Sequence, residues 1–162
     1  MRTLLILRHA KSSWKDDSLP DHDRPLNKRG LKDAPRMGQL LRREDLLPDL
    51  ILCSSAKRAR VTAELVAEES GYEGELRLKD DLYAFDAEAY LEALTELSDG
   101  YDRVMVVGHN PAMEELLEAL TGGFERLPTA ALAMVELPID RWSELEDEPE
   151  GKLTHLWRPK EL

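Results

Sequence analysis

Three short runs constrain this chain more than any other feature: Thr3–Leu7, Leu50–Cys53 and Val104–Val107 are apolar nearly throughout. A strand with one wet face alternates apolar and polar residues, so continuous apolarity over so few positions marks strands buried on both faces. Such strands belong to parallel sheets with helices packed on either side. The intervening segments have helical spacing. Lys57–Ser70 turns Val61, Leu65 and Val66 inward and ends at Gly71, and Asp86–Leu97 repeats Tyr90, Leu91, Leu94 and Leu97. Asn110-Pro111 supplies a cap and a favourable first helical position for a helix with Met113, Leu116, Leu117 and Leu120 inward, which Gly122-Gly123 stops. Asn27 is placed to cap a short turn, and Asp33 a longer helix with Pro35 in its first turn and Met37, Leu40 and Leu41 on its buried stripe. A weak strand near Leu76–Leu78 and two late strands, Ala131–Leu137 and Leu153–Trp157, complete the elements, the last two expected antiparallel at an edge. Between these two, the acidic segment Glu144–Glu150 reads as a solvated loop. The whole predicts one α/β domain over residues 1–162, a three-layer α/β/α sandwich on a mostly parallel central sheet.

Composition narrows the partners. The net charge of −11 opposes nonspecific attraction to nucleic acid or to an anionic membrane face. No apolar run approaches the length of about 18 residues needed to cross a bilayer, and Met1–Leu7 has no signal-peptide pattern. A single cysteine, Cys53, cannot form an internal disulfide. A cytoplasmic protein is expected. Against the acidic background, Arg8, Lys11, Arg24, Lys28, Arg29, Lys57, Arg58 and Arg60 fall into local clusters, although solvated helix faces would explain several of them singly.

In open α/β sheets, ligands bind beyond the carboxyl ends of the strands. There stand Arg8-His9-Ala10-Lys11, Ser54-Ser55-Ala56-Lys57-Arg58 and Gly108-His109-Asn110-Pro111, one group after each strong strand. Two histidines and two or three cations therefore converge on one rim. A phosphoryl group in transfer carries charge on its peripheral oxygens, which arginines and helix amides can stabilise. The same cations disfavour protonation of a neighbouring imidazole and keep it able to attack. A lone histidine or arginine at such a position is ordinarily structural; the joint arrangement carries the reading. No cluster of His, Asp and Glu has metal-ligand spacing.

These residues carry a family resemblance. Arg8-His9-Ala10 is similar to the Arg-His-Gly signature of the histidine phosphatase superfamily, which includes phosphoglycerate mutases and acid phosphatases. Arg24-Pro25-Leu26 with Arg29-Gly30, Ser54-Ser55 through Arg58-Ala59 with Thr62-Ala63, and Val107-Gly108-His109-Asn110-Pro111 extend the match, in order, over nearly the whole chain. With its short length and its opening Arg-His-Ala-Lys-Ser-Ser-Trp, the chain most resembles the small SixA-type phosphohistidine phosphatases. The resemblance implies a phosphoglycerate mutase-like fold and a reaction needing neither metal nor other cofactor. It implies His9 as nucleophile, Arg8 and Arg58 on the phosphoryl oxygens, and His109 completing the pocket as a hydrogen-bond donor. Lys11 or Ser12 is an added candidate contact. Ala10 stands where the signature usually has glycine, and strain follows if the backbone there requires a positive φ.

Larger relatives place a glutamate to protonate an alkoxide, whereas the stretch Lys79-Asp80-Asp81-Leu82-Tyr83 offers no unambiguous equivalent; Asp80 and Asp81 are the candidates. Exchange of one imidazole for another needs a strong acid less, which favours a phosphohistidine-bearing protein as partner. A small phosphomonoester, turned over by a phosphatase or mutase, is the alternative, and a non-catalytic phosphate-binding module a third reading. A cysteine phosphatase fails on register, since the arginine it needs six positions after Cys53 is replaced by Ala59. Trp14 is expected to pack locally.

Overall fold

In the computed structural model, which describes residues 1–162, the three apolar runs become neighbours at the centre of one six-stranded sheet. They are β1 (Arg2–Arg8), β2 (Leu50–Ser54) and β4 (Arg103–Gly108), with β3 (Glu75–Lys79) at one edge and β5 (Leu132–Leu137) and β6 (Lys152–Trp157) beyond the other. The order is β3-β2-β4-β1-β5-β6. The first four strands pair parallel, whereas β5 pairs antiparallel with β1 and β6 with β5.

Alternating side chains of the central strands feed two separate cores. Leu4, Ile6, Leu50, Leu52, Val104 and Val106 pack on α3 (Glu88–Thr95), α4 (Ala112–Thr121) and the turn that holds Trp142. Leu5, Leu7, Ile51, Cys53, Met105 and Val107 pack on α1 (Lys28–Arg43) and α2 (Lys57–Ser70). The chain is therefore an α/β/α sandwich, and the unbroken apolar runs reflect two buried faces. Cys53 is one of these core residues, fully buried, and burial pushes its thiol pKa up.

The structure corrects the expected helix boundaries in places. Asn27 accepts from the Gly30 N–H at 2.9 Å and starts one continuous helix, so Asp33 lies inside α1 rather than capping a second one. Buried there, Asp33 accepts from Arg29 at 3.0 Å and Arg36 at 3.3 Å, which satisfies the carboxylate within the helix. Pro35 sits in the helix interior and α1 continues through it. On α2, Val66 is fully buried, but Val61 and Leu65 are half-buried, and the inward face is completed by Arg58, Ala59, Thr62 and Ala63. Pro111 is the cap residue of α4 rather than its first helical position. The acidic segment 144–150 is not wholly solvated. A 3-10 turn over Trp142–Asp147 buries Trp142 and Leu145, and the indole N–H donates to the Tyr101 carbonyl at 2.8 Å. Burying such side chains stabilises by about 2 kcal/mol each, and the turn achieves it while Glu146, Asp147, Glu148 and Glu150 stay exposed to water. No helix is long and apolar enough to cross a membrane.

Gly30 shows how the fold shapes the loop that follows β1. A Cβ there would lie 2.2 Å from the Lys11 carbonyl oxygen, a backbone atom with no freedom to move aside. The Asn27 N–H donates to that same oxygen at 3.0 Å. The start of α1 and the residues just after His9 are thus clamped together.

Candidate active site

The chain leaves β1 into α1 on one face of the sheet and leaves the adjacent β4 into α4 on the other. That divergence opens a crevice at the carboxyl ends of the two strands. The ladder aligns Arg8 with Gly108, and the His9 N–H donates to the Gly108 carbonyl at 2.9 Å, so the histidines that follow both strands stand side by side. Their ring centroids are 5.1 Å apart. Gly108 is needed below them: a Cβ would meet the Tyr90 hydroxyl, which is held in the core by its bond to the Leu82 carbonyl at 2.6 Å.

The cavity over these residues has a volume of about 660 Å³, and Arg8, His9, Arg58 and His109 all line it. His9 Nδ1 lies 2.7 Å from the Ala10 carbonyl oxygen. A carbonyl only accepts, so Nδ1 carries the proton and the lone pair is on Nε2. The backbone of the next residue is fixed in turn: the Ala10 N–H donates to Thr62 Oγ at 3.0 Å, and that hydroxyl donates to the Arg58 carbonyl at 2.7 Å. Ala10 is fully buried and has no positive φ, so alanine fits the glycine position without strain. Ala130, by contrast, adopts φ 62° and directs its N–H to the His9 carbonyl at 3.0 Å, a left-handed conformation that an alanine holds at a cost of roughly 1 kcal/mol.

His109 Nε2 is 2.8 Å from Ser54 Oγ, which already accepts the Ala56 N–H at 3.2 Å. With no other acceptor for its proton, the Ser54 hydroxyl donates to Nε2, which leaves a proton on His109 Nδ1. That atom is buried without a partner, as are Arg8 Nε and Arg58 Nε. Three unpaired donors against one unpaired acceptor, Asn110 Oδ1, leave this cavity short of acceptors, since buried polar groups are ordinarily bonded. An anion with several oxygens supplies them.

Burial lowers both imidazoles. In His9 it outweighs the Ala10 bond and is reinforced by His109, Arg58 and Arg8, bringing the pKa to about 3. In His109 burial acts with Arg58 and Arg8 against Asp21, giving about 4. Both rings are neutral at pH 7, the form in which His9 can attack. The same shifts set a stability profile. Unfolded histidines take up protons below about pH 6.5 and the folded ones do not, so folding stability falls as pH drops from about 6.5 toward 4 for His109 and 3 for His9. The slope is about 1.4 kcal/mol per pH unit per histidine when the unfolded residue is fully charged. Urea melts of the unmutated chain and of His9→Gln, His109→Gln are expected to diverge over this window, the double variant losing much less stability on acidification. Parallel profiles would show that the rings are not held neutral.

The loop 11–25 adds Asp21 and Arg24, neither of which the sequence singled out as a phosphoryl contact, and places the candidates Lys11 and Ser12. Asp21, in a 3-10 turn, accepts from Arg58 Nη2 at 3.0 Å, from Arg24 Nε at 3.1 Å and from the Tyr83 hydroxyl. Partial burial raises its carboxyl, but the bonds from Tyr83 and Arg58, the Arg58 charge and the Arg24 bond bring it down to about 2. Arg24 is buried, donates to Ser12 Oγ at 2.7 Å and lies 3.5 Å over the Trp14 ring. Ser12 thus positions Arg24, and Lys11 lines the cavity beside it. Trp14 is 74% exposed and lines the rim, so the expected local packing reduces to its contact with Arg24. Asp80 and Asp81 lie outside the cavity, where Tyr83 and Phe85 close one side instead. One aspartate among five in residues 16–23 and 33 carries no spacing signal, which is why Asp21 was illegible from sequence.

Residues 4–90 match the model of the histidine phosphatase superfamily (branch 1). An uncharacterised chloroplastic protein of Arabidopsis thaliana is 37% identical over 153 residues, covering 88% of this chain and 70% of that protein. The crystal structure of a candidate phosphohistidine phosphatase SixA from Agrobacterium tumefaciens superposes with a TM-score of 0.84 at 29% identity, covering 98% of both chains. The protein histidine phosphatase SixA complexed with tungstate shares the fold, with a TM-score of 0.84 at 23% identity and 98% coverage of both chains. The phosphoglycerate mutase-like fold and SixA-like architecture agree with the resemblance read in the sequence, and phosphatase activity is supported. The chain belongs to the histidine phosphatase superfamily.

Proposed function

We propose that this chain hydrolyses protein phosphohistidine through a phosphohistidine intermediate on His9. The observation that carries the reading is the proton placement around His9. Nδ1–H stays bonded to the Ala10 carbonyl while Nε2 offers its lone pair, so no proton need move at the nucleophile. Nε2 attacks phosphorus as the P–N bond of the substrate breaks. A substrate ring protonated at its far nitrogen by solvent leaves as neutral imidazole. Water then attacks phosphorus, His9 leaves with Nδ1–H retained, and the water proton passes to phosphate or solvent. Arg8, Arg58 and the Nδ1–H of His109 stabilise the phosphoryl oxygens in both steps.

An alkyl ester places a harder demand, because its alkoxide must be protonated as it leaves. The carboxyl in the phosphoryl cavity is Asp21, held at about 2 and ionised against Arg58 at neutral pH. It is a poor acid there. The P–N substrate matches such a pocket better than a P–O ester.

The test is phosphate release, with EDTA present, from a histidine-phosphorylated protein and from a panel of sugar phosphates. A kcat/KM for the phosphohistidine protein at least 100-fold above that of any sugar phosphate is expected. Equal or reversed preference would move the activity to small phosphomonoesters.

A further inference from the structure

Beside the phosphoryl cavity lies a second one of about 750 Å³, sharing Arg8, Lys11 and Thr129 with it. It is bounded by the start of α1, the 126–129 turn and the C-terminal residues 158–161. Its charge is anomalous for this protein. Eight of the chain's 22 lysines and arginines, but four of its 33 acidic residues, line the two adjoining cavities. The rest of the surface is correspondingly more acidic than the net charge of −11 suggests.

Arg29 is paired with Asp33 at 3.0 Å, and Arg158 reaches Glu125 at 3.6 Å and Glu161 at 3.7 Å. Lys11, Arg126 and Lys160 are exposed and have no carboxylate partner. Three unpaired cations held together on an acidic molecule raise the local potential and attract an anion. They belong to separate elements, so the fold brings them together. Their exposed stems at the mouth contrast with the buried Arg24 and Arg58 of the phosphoryl pocket. Fixed donors suit a small polyanion; exposed rim cations suit carboxylates on a protein surface, where they steer encounter and set register.

We propose that this cavity is a second anion subsite that receives aspartate and glutamate side chains flanking the phosphohistidine of an acidic protein partner. It rests on the phosphohistidine reading and names the partner's chemistry. Lys11 and Arg8, common to both cavities, join the carboxylate subsite to the phosphoryl pocket. The same field repels any other copy of this acidic chain less at this rim than elsewhere, so the rim is where an acidic partner approaches.

The test uses the full chain, an Arg126→Glu, Lys160→Glu double variant, and two peptides with one central histidine flanked by aspartates or by asparagines. Calorimetric titration of the unphosphorylated peptides reads the subsite alone; phosphate release after phosphorylation with phosphoramidate reads turnover. The unmutated chain is expected to bind the aspartate peptide at least tenfold tighter than the asparagine one, with the advantage shrinking as salt rises. The double variant is expected to lose that advantage and to raise KM for the phosphorylated aspartate peptide about tenfold, with kcat and turnover of free phosphohistidine unchanged. Equal binding of the two peptides, or an advantage that survives in the variant, overturns the subsite. So does binding of inorganic pyrophosphate that the double substitution abolishes while peptide charge has no effect, because the cavity then serves small polyanions. If the subsite behaves as expected and the phosphorylated peptides are not hydrolysed, the phosphohistidine reading fails and the acidic-partner subsite stands.

Discussion

His9→Ala is expected to reduce phosphate release by a factor on the order of 10⁴ or more, the size of loss seen when a nucleophile is removed from a site whose other parts remain. The structure makes this variant a clean one. The imidazole's single protein hydrogen bond goes to the adjacent Ala10 carbonyl, while the backbone bonds to Gly108 and Ala130 are independent of the side chain. Truncation therefore leaves β1, the crevice and the Arg8, Arg58 and His109 donors in place. Phosphate or tungstate should still bind, and protect the variant against thermal unfolding much as they protect the unmutated chain. Rapid acid-free quenching of the unmutated chain with labelled substrate should trap a phosphoenzyme that survives alkali and is lost in acid, as a P–N bond requires, and His9→Ala should trap none. Turnover within tenfold of normal, or a phosphoenzyme that persists in the variant, would place the nucleophile elsewhere; no other imidazole but His22 and His109 lies near enough to be considered. His22 is occupied, its Nε2 lying 3.0 Å from Ser55 Oγ.

The sheet was legible because its signal is local. Leu4–Leu7, Leu50–Cys53 and Val104–Val107 are buried on both faces, and no surface requirement interrupts their apolarity. The residues after them were legible for the same reason, since the carboxyl ends of such strands are where a crevice forms. Arg8, His9, Arg58 and His109 each follow directly from that placement. What was not legible depends on side chains meeting across distant segments. Asp33 looks like a helix cap and becomes an internal acceptor because Arg29 and Arg36 on the same helix satisfy it. Asp21 looks like one more loop carboxylate and becomes a ligand of Arg58, 37 positions away, and of Tyr83. The carboxylates that the sequence did suggest, Asp80 and Asp81, precede Tyr83 by two or three positions in a tight turn that puts the tyrosine over the cavity and leaves them out of it. Loop residues are set by tertiary partners, and a single sequence carries little of that information.

Arg58→Ala is the second large effect, with kcat expected to fall on the order of 10²- to 10³-fold, as when one preorganised donor to a developing charge is lost. Two of its guanidinium nitrogens are engaged with Asp21, Nη1 on the carbonyl at 2.8 Å and Nη2 on the carboxylate at 3.0 Å, and Nε is unpaired. A phosphoryl group with two or three charged oxygens competes for those donors better than one carboxylate, so the fork exchanges Asp21 for substrate. Three observations predict that the loss is catalytic and not structural. The Thr62–Arg58 bond uses the Arg58 carbonyl, which alanine retains. Asp21 has a side chain 43% exposed and can hydrate once its partner is gone. The first turn of α2 keeps its backbone bonds to the Ala56 carbonyl. Thermal melts should therefore change little while kcat collapses. Arg58→Lys retains the charge without the planar fork and should recover part of the rate, because a point charge stabilises the oxygens without fixing their geometry. A variant that loses stability and rate together, or one in which lysine restores full activity, would mean that Arg58 serves the fold or the local charge alone and does not grip the transferring group.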